Sequence, residues 1–321
     1  MRIVVTGGSG FIGQALVVEL ERAGHEVLAA DVRTADGLAG LSKCVDVLDV
    51  EQLKLAFGGA DVVCHLAGPV LETARSDPFW SARLQLSGTL NVLDACRTAG
   101  VPKLMLASSF YVYDGLPAEG IVNESSRLDP SRMELFGSLK VAAEQLVLGY
   151  ARKFGLKFVI MRFGSAYGWG EGSNLVQAFL KAGLEGRVLD VWGRGLRSNQ
   201  YTYVDDIAAG CVAALDVDND TFNLVSPDEM ATGELASLLC RRFGFDMRLL
   251  VDKREGADFP YMSSRKAVRQ LGWLTTPVEQ ALERLVDQRP PSTRRAPEGA
   301  GRGPGAGDGY VPEAPSAATQ R

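Results

Sequence analysis

The chemistry of this chain turns on Ser109, Phe136 and Lys140. Ser109 follows the apolar run from Val101 to Ala107, and Lys140 ends the segment Phe136-Gly137-Ser138-Leu139-Lys140. Residues four apart lie on one helical face, a turn from each other. A phenol at position 136 would therefore sit beside the Lys140 ammonium. The cation would lower its pKa and let it take a proton from a substrate hydroxyl. Phe136 can do no proton chemistry. What this position can do therefore decides which chemistry Ser109 and Lys140 can support.

A second constellation opens the chain. Gly7-Gly8-Ser9-Gly10-Phe11-Ile12-Gly13 follows the apolar run Ile3 to Thr6 and precedes an amphipathic stretch. Such glycines allow a tight turn, close approach of backbone to a pyrophosphate, and close packing of helix on strand. Asp31 ends the next apolar run and is placed to accept hydrogen bonds from both adenosine ribose hydroxyls. It would repel a 2′-phosphate, which favours NAD over NADP, although neighbouring Arg33 tempers the preference. Asp46 and Val47, after the third strand, are placed to meet the adenine edge.

Apolar runs and amphipathic stretches alternate behind these residues. Ile3 to Thr6, Glu26 to Ala30, Asp61 to Leu66, Lys103 to Ala107 and Phe158 to Arg162 read as strands. Gln14 to Ala23, Leu84 to Thr98 and Phe136 to Phe154 read as helices. The rhythm predicts a Rossmann-type α/β fold, a doubly wound parallel sheet covered on both faces. Beyond about residue 165 glycines punctuate shorter elements, with helices expected at Gly233 to Phe243, Ser264 to Leu271 and Val278 to Gln288. The expected division is a dinucleotide-binding domain over 1–165, with returns from the later chain, and a smaller C-terminal substrate lobe over 166–288. Residues 289–321 are rich in Pro, Gly, Ala and Arg and read as a disordered tail without a catalytic role.

Composition narrows the function. The chain has 321 residues, 46% of them hydrophobic, enough for a sizeable core. A net charge of -5 argues against nucleic acid as a bulk electrostatic partner. No apolar run reaches about 18 residues, so no membrane span is expected. The first residues enter a strand at once, which leaves no room for a signal peptide. Five scattered cysteines, none in C-x-x-C spacing, read as reduced thiols of a cytoplasmic protein. With two histidines a histidine-based metal site or triad is not expected, and His65, inside an apolar run, reads as structural.

The glycines Gly7, Gly10 and Gly13 combine with His65-Leu66-Ala67-Gly68, Gly88-Thr89-Leu90-Asn91, Ser108-Ser109…Val112-Tyr113 and Arg162…Tyr167-Gly168. Tyr203-Val204-Asp205-Asp206, Phe222-Asn223-Leu224 and Leu271-Gly272-Trp273 extend the set. Over residues 1 to about 288 the chain resembles the extended short-chain dehydrogenases, and within them the nucleotide-sugar epimerase/dehydratase family. The resemblance implies a tightly held NAD, a nucleoside-diphosphate sugar and transient oxidation of a sugar hydroxyl, usually at C4. It implies that Leu66, Ala67 and Gly68 border the cofactor and that Lys140 holds the nicotinamide ribose. It gives Ser109 the sugar 4-oxygen, Asn174 and Leu175 the nucleotide, Trp192 the base and Arg254 the diphosphate. An arginine fork suits phosphate oxygens. The family commonly dimerises through two long helices, matched here by Leu84 to Thr98 and Phe136 to Phe154, so a homodimer is a further expectation.

The departures from the family pattern are informative. Phe136 replaces the tyrosine, Gln85 and Ser165 stand where asparagines are usual, and Asn199 takes an arginine's place, which Arg197 could fill. Phe110 and Tyr111 occupy the positions where 4,6-dehydratases carry Asp-Glu, so that reaction is not expected. A 4-epimerase needs no base at C5 and remains open. So does a 5,6-dehydratase, which would oxidise C4, lose water across C5–C6 and return the hydride to C4, with Tyr111 or Tyr113 in proton transfer. Among family members the chain most resembles those that act in this way on a UDP-hexosamine, which implies UDP-N-acetylglucosamine as substrate. Phe136 itself has three explanations: another group moves the proton, a tyrosine was exchanged to trap substrate beside NAD, or the protein is a non-catalytic NAD sensor.

Overall fold

The computed structural model describes residues 1–288 apart from 39, 171–173 and 257. The expected tail, 289–321, lies outside the described residues. The first half of the chain runs β1 (Arg2–Thr6), α1 (Phe11–Arg22), β2 (Glu26–Asp31), β3 (Ser42–Cys44), α2 (Val50–Phe57) and β4 (Val62–His65). It continues through α3 (Leu71–Ser76), α4 (Pro78–Ala82), α5 (Gly88–Ala99), β5 (Lys103–Ser109), β6 (Ile121–Val122), α6 (Leu135–Phe154) and β7 (Lys157–Phe163). The second half adds β8 (Ser165–Tyr167), α7 (Leu175–Leu184), β9 (Leu189–Trp192), β10 (Ser198–Asn199), β11 (Tyr201–Tyr203), α8 (Val204–Ala213) and β12 (Asp220–Leu224). After it come β13 (Met230–Ala231), α9 (Thr232–Phe243), β14 (Met247–Leu250), β15 (Tyr261–Met262), α10 (Arg265–Leu271) and α11 (Val278–Asp287).

Seven strands form one sheet in the order β12-β7-β5-β4-β1-β2-β3, every neighbouring pair parallel. The chain winds outward from β1 in both directions, so the order reverses between β1 and β4. In such sheets ligands bind beyond the carboxyl ends of the strands at that switch point. Alternation along β1 shows why both faces are covered. Ile3 and Val5 pack against Leu16, Val17 and Leu20 of α1 and Ile207 and Cys211 of α8. Val4 faces Leu53 and Phe57 of α2, Val92 and Cys96 of α5 and Ala143 and Val147 of α6. A parallel sheet buried on both faces needs these near-continuous apolar runs.

Phe222-Asn223-Leu224 belongs to β12, which comes back from the later chain to close the edge of the large sheet. One element departs from expectation. The helix expected from Leu84 does not run regularly: Arg83–Ser87 forms a π-helical turn before α5. Such turns mark single-residue insertions and frequently adjoin functional sites. A separate apolar core gathers Val176, Phe179 and Leu180 of α7, Leu189 and Val191 of β9, Leu235 and Leu239 of α9, and Leu282 and Leu285 of α11. The rings of Phe11 and Trp169 pack beside it and tie it to the first glycine loop.

Candidate active site

The glycine loop packs as bare backbone against the start of α1 and the chain just past the end of β4. Gly7 has φ +71°, and a Cβ there would lie 2.6 Å from the Ala67 amide nitrogen. A Cβ on Gly13 would meet the Gly7 carbonyl oxygen at 2.1 Å, so helix and loop touch through bare backbone. Gly10 is different: its Cβ would approach only the Gly7 oxygen, at 3.2 Å. Gly10 also caps α1 with no side-chain hydrogen bond, leaving that face to the helix N-terminus, where an anion is favoured. The side chain of Phe11 points elsewhere. A Cβ on Gly170 would fall 2.4 Å from its ring, so Phe11 offers the loop its backbone and packs its ring against the later chain.

Asp31 stands at the end of β2, where its carboxylate accepts from the amides of Ser9 and Arg33, both at 3.1 Å. The acid is thereby fixed against the glycine loop. Val47 is buried, and its carbonyl accepts from Asn91 Nδ2 at 3.0 Å, which explains the asparagine of Gly88-Thr89-Leu90-Asn91. Asp46 turns its carboxylate to the Leu48 amide, 2.9 Å. These residues fit a dinucleotide: a bare cradle at a helix N-terminus, a fixed acid for a ribose, and an apolar shelf beyond it.

At the far end of the cleft Lys140 is buried, and its Nζ donates to the Ala107 carbonyl at 3.3 Å. Burial pulls its pKa from 10.5 to about 8, and the Glu144 carboxylate one turn along opposes that pull. The Phe136 ring lies 5.6 Å from the ammonium. Tyr111 meets Phe136 edge-on at 5.3 Å and packs against Phe259 at 5.0 Å. Ser109 Oγ accepts from the Tyr111 amide at 3.3 Å, so the hydroxyl proton of Ser109 remains to be donated. Burial pushes the Tyr111 phenol up to about 12, with Arg75 and Arg197 acting against burial and Glu134 and Asp114 with it. Arg75 and Glu134 form a forked ion pair beside it, with contacts of 2.8–3.2 Å.

Tyr113, considered above for proton transfer, has a structural part instead. It is fully buried, donates to Asn223 Oδ1 at 2.8 Å and accepts from Arg162 Nη1 at 2.9 Å. Arg162 in turn grips Glu144 at 2.9 and 2.8 Å, and Ser108 donates to the same carboxylate at 2.6 Å. His65 is likewise structural: Thr6 and Thr89 hold its two nitrogens, and burial with the Lys140 charge lowers its pKa to about 3.

The residues expected to hold a nucleotide sugar fall into two groups. Arg197 lies against Gly256, where a Cβ would meet its Cζ at 3.1 Å, and its charge reaches Tyr111. Glu255 orders this loop by accepting from the amides of Arg194 and Arg197 at 2.8 and 2.6 Å. Arg254 is exposed next to it, and Trp192 lies 5.9 Å beneath the Lys253 ammonium. Asn174 spends its side-chain oxygen on capping α7 through the Gln177 amide, 2.8 Å, and Leu175 begins that helix. Ser165 and Asn199, both departures from the family pattern, bond to each other at 3.3 Å. Sequence reasoning missed the Arg75–Glu134 pair and Phe259, because nothing in their local spacing ties them to Tyr111.

The pattern of the NAD dependent epimerase/dehydratase family matches residues 3–224. The chain belongs to that family. NAD is the family's cofactor. A Bacillus cytotoxicus UDP-N-acetyl-alpha-D-glucosaminuronate decarboxylase is 30% identical over 253 residues, 73% of this chain and 78% of the relative. The Thermotoga maritima UDP-glucose 4-epimerase, solved with UDP-glucose, superposes with a TM-score of 0.83 at 25% identity, covering 89% of this chain and 98% of its own. The Thermus thermophilus UDP-glucose 4-epimerase, solved with NAD, gives a TM-score of 0.74 at 26% identity over 89% and 98%. Among the described residues no helix is long and apolar enough to cross a membrane, and no cluster of His, Cys, Asp and Glu could hold a metal.

Proposed function

We propose that this family member is an NAD-dependent UDP-hexosamine dehydratase that oxidises C4 transiently, eliminates water across C5–C6 and restores C4 to leave a 5,6-ene. In this reading residues 1–165, with β12 returned to the sheet, hold NAD through Gly7, Gly10, the Phe11 and Ile12 amides, Gly13, Asp31, Asp46, Val47, Leu66, Ala67, Gly68 and Lys140. Residues 166–288 receive the nucleotide through Asn174, Leu175, Trp192, Arg197 and Arg254. NAD, when bound, supplies hydride acceptance and return at C4. Ser109 donates to the 4-oxygen. Oxidation there acidifies the C5 proton, because the carbanion delocalises into the ketone. That proton passes to solvent, which in turn restores the proton given to the departing C6 hydroxyl, so that water alone is lost.

The observation that carries the reading is Tyr111. Its ring packs against Phe136, its amide donates to Ser109 Oγ, and its phenol is held protonated by burial. A neutral phenol in that place donates to the departing C6 hydroxyl, a task that a carboxylate performs in 4,6-dehydratases. The similarity to a decarboxylase that is named for a UDP-N-acetylated sugar supports a hexosamine. A 4-epimerase is the second reading, favoured by the fit to the Thermotoga maritima epimerase and by the apolar Phe110 beside Ser109.

The chain, and its Phe136→Tyr and Tyr111→Phe variants, would be incubated with NAD and UDP-N-acetylglucosamine and the products followed by mass and proton NMR. Loss of water with new vinyl signals, abolished in Tyr111→Phe, is the expected result. An unchanged mass with UDP-N-acetylgalactosamine signals would establish the epimerase instead. Activity confined to Phe136→Tyr would identify Phe136 as a block.

A further inference from the structure

Gln85 is the buried group the reading above leaves idle. It lies on the π-helical turn Arg83–Ser87, with 1% of its surface exposed. Its Nε2 donates to Thr89 Oγ1 at 3.3 Å, and its Oε1 has no hydrogen-bond partner. A buried carbonyl oxygen without a donor is costly and needs a reason. The reason lies over Gly68. A Cβ built on that glycine would be 3.0 Å from Gln85 Oε1 and 3.6 Å from Lys140 Nζ. The two polar atoms converge on one small space that the missing side chain keeps open. An ammonium has three donors, and the Lys140 ammonium makes a 3.3 Å bond to Ala107. The group that suits both must accept from Lys140 and donate to Gln85. A hydroxyl or a water does both; a carbonyl or a phosphate oxygen does not.

We propose that Lys140 is itself the acid and base for the sugar's C4 hydroxyl, and that Gln85 fixes the hydroxyl group through which its proton passes. The inference rests on the C4 oxidation proposed above and goes beyond it in naming the proton's path. The C4 O–H bond breaks as Ser109 holds the oxygen. With Lys140 as the neutral amine, the bridging hydroxyl turns its own proton to the Lys140 nitrogen and gives it up as it takes the proton from the C4 oxygen. The proton received then turns to Gln85 Oε1, which restores the arrangement in which the ammonium donates and Gln85 accepts. The C4–H bond breaks with its electron pair to the bound dinucleotide, and a C4=O double bond forms. The return step runs the same sequence backward, so protons and electrons balance. Burial keeps the free amine of Lys140 accessible near neutral pH, at about 8. The charged and titratable groups facing it are Glu144 on its own helix and neutral His65 on β4; Gln85 and Phe136 bring no charge. The Phe136 ring covers the ammonium without offering a proton.

The test uses the full chain and Gln85→Met, Gln85→Glu and Lys140→Met. The Lys140 side-chain nitrogen is titrated by NMR with labelled lysine, NAD affinity is measured by calorimetry, and single-turnover NAD reduction by UDP-N-acetylglucosamine is followed against pH. Lys140 is expected to titrate near 8, and the acid limb of the single-turnover profile should coincide with it. Gln85→Glu places a carboxylate beside the ammonium and moves both upward together by about one unit or more. Lys140→Met loses the single turnover by about 100-fold or more. Gln85→Met should slow it as well. About tenfold weaker NAD binding in that variant assigns the bridging hydroxyl to the dinucleotide's ribose, and unchanged binding with the same slowing assigns it to water. A purely structural Gln85 would lower the rate and leave the limb where it was. A limb that ignores the Lys140 titration, or turnover that survives Lys140→Met, overturns this inference alone. Absence of NAD reduction by any UDP-sugar, with the Lys140 titration responding to Gln85→Glu as stated, overturns the reaction proposed above and with it the proton path, and leaves the Gln85–Lys140 hydroxyl site standing.

Discussion

Glu144 is the residue whose loss should be felt most widely. Its carboxylate takes two hydrogen bonds from Arg162 and one from Ser108, and the paired side chains are 3% and 7% exposed. The pair joins α6 to β7, and through Ser108 and Tyr113 it reaches β5 and β12. Glu144→Gln keeps the volume and removes the charge, which leaves the Arg162 guanidinium buried without its counter-ion. Breaking one side of a buried pair costs about 3–5 kcal/mol. With a urea slope of about 3 kcal/mol per molar for a chain of this size, the unfolding midpoint should fall by about 1 M or more. Replacing both partners by methionine removes the uncompensated charge along with the pair, so the double variant should recover most of that loss. Glu144 also opposes the burial that depresses Lys140, so in Glu144→Gln the lysine should titrate further below about 8. A midpoint shift under about 0.3 M, or a double variant as unstable as the single one, would refute the view that this buried pair holds the sheet to α6.

Three other outcomes follow from the same geometry. Gly13→Ala drives a Cβ to within 2.1 Å of the Gly7 carbonyl and should lower both stability and NAD affinity, whereas Gly10→Ala meets only one atom, at 3.2 Å, and should weaken NAD with the melting temperature of the free protein nearly unchanged; equal destabilisation of both would sink the assignment of Gly10 to the phosphate face. Asp31→Ser removes the acid that is fixed by Ser9 and Arg33, and calorimetry should show the NADP-to-NAD affinity ratio rising about tenfold or more; an unchanged ratio would separate Asp31 from the ribose. His65 is held down at about 3 against an ordinary 6.5, so below 6.5 the unfolded chain takes up a proton that the folded chain refuses, and stability falls as pH drops from 6.5 toward 3 while nothing is lost above 6.5. His65→Gln should flatten that fall in urea titrations at pH between 6.5 and 5, and an identical slope in both proteins would place its origin elsewhere.

What the sequence revealed was what local spacing can encode. The first strand, the glycine loop, α1 and Asp31 are consecutive, and each constrains the next within thirty-one residues. The buried strands were visible as apolar runs because a sheet covered on both faces leaves no polar alternation to obscure them. The bounds of β3 (Ser-Lys-Cys) were not legible, since an edge strand needs no such run. Which later residues return to the sheet was not legible, because the place of β12 beside β7 is set by a crossover and not by its own residues. Tyr113 looked as eligible as Tyr111, and only the Arg162 and Asn223 contacts separate them. The bond between Ser165 and Asn199 shows the same limit from the other side: two departures that read separately as lost substrate contacts are partners.

The charges in the cleft are divided between its ends, and that division bears on how the chain works without a tyrosine at 136. The carboxylate that acts on Lys140 is Glu144, which already serves Arg162. The charges that act on Tyr111 are Arg75, Glu134, Arg197 and Asp114. A single phenol beside Lys140 would couple the two ends through one proton; Phe136 separates them with an apolar ring that touches both. In the proposed reaction, oxidation at C4 and departure of a hydroxyl at C6 make opposite demands, a base for the first and an acid for the second. That proposal assigns them to separate positions, a buried amine near 8 and a phenol near 12. Restoring a tyrosine at 136 should therefore change the pH dependence of the C4 step and leave the dependence of elimination on Tyr111 in place. If Phe136→Tyr instead makes Tyr111 dispensable, the two ends share their proton chemistry and the separation has no functional meaning.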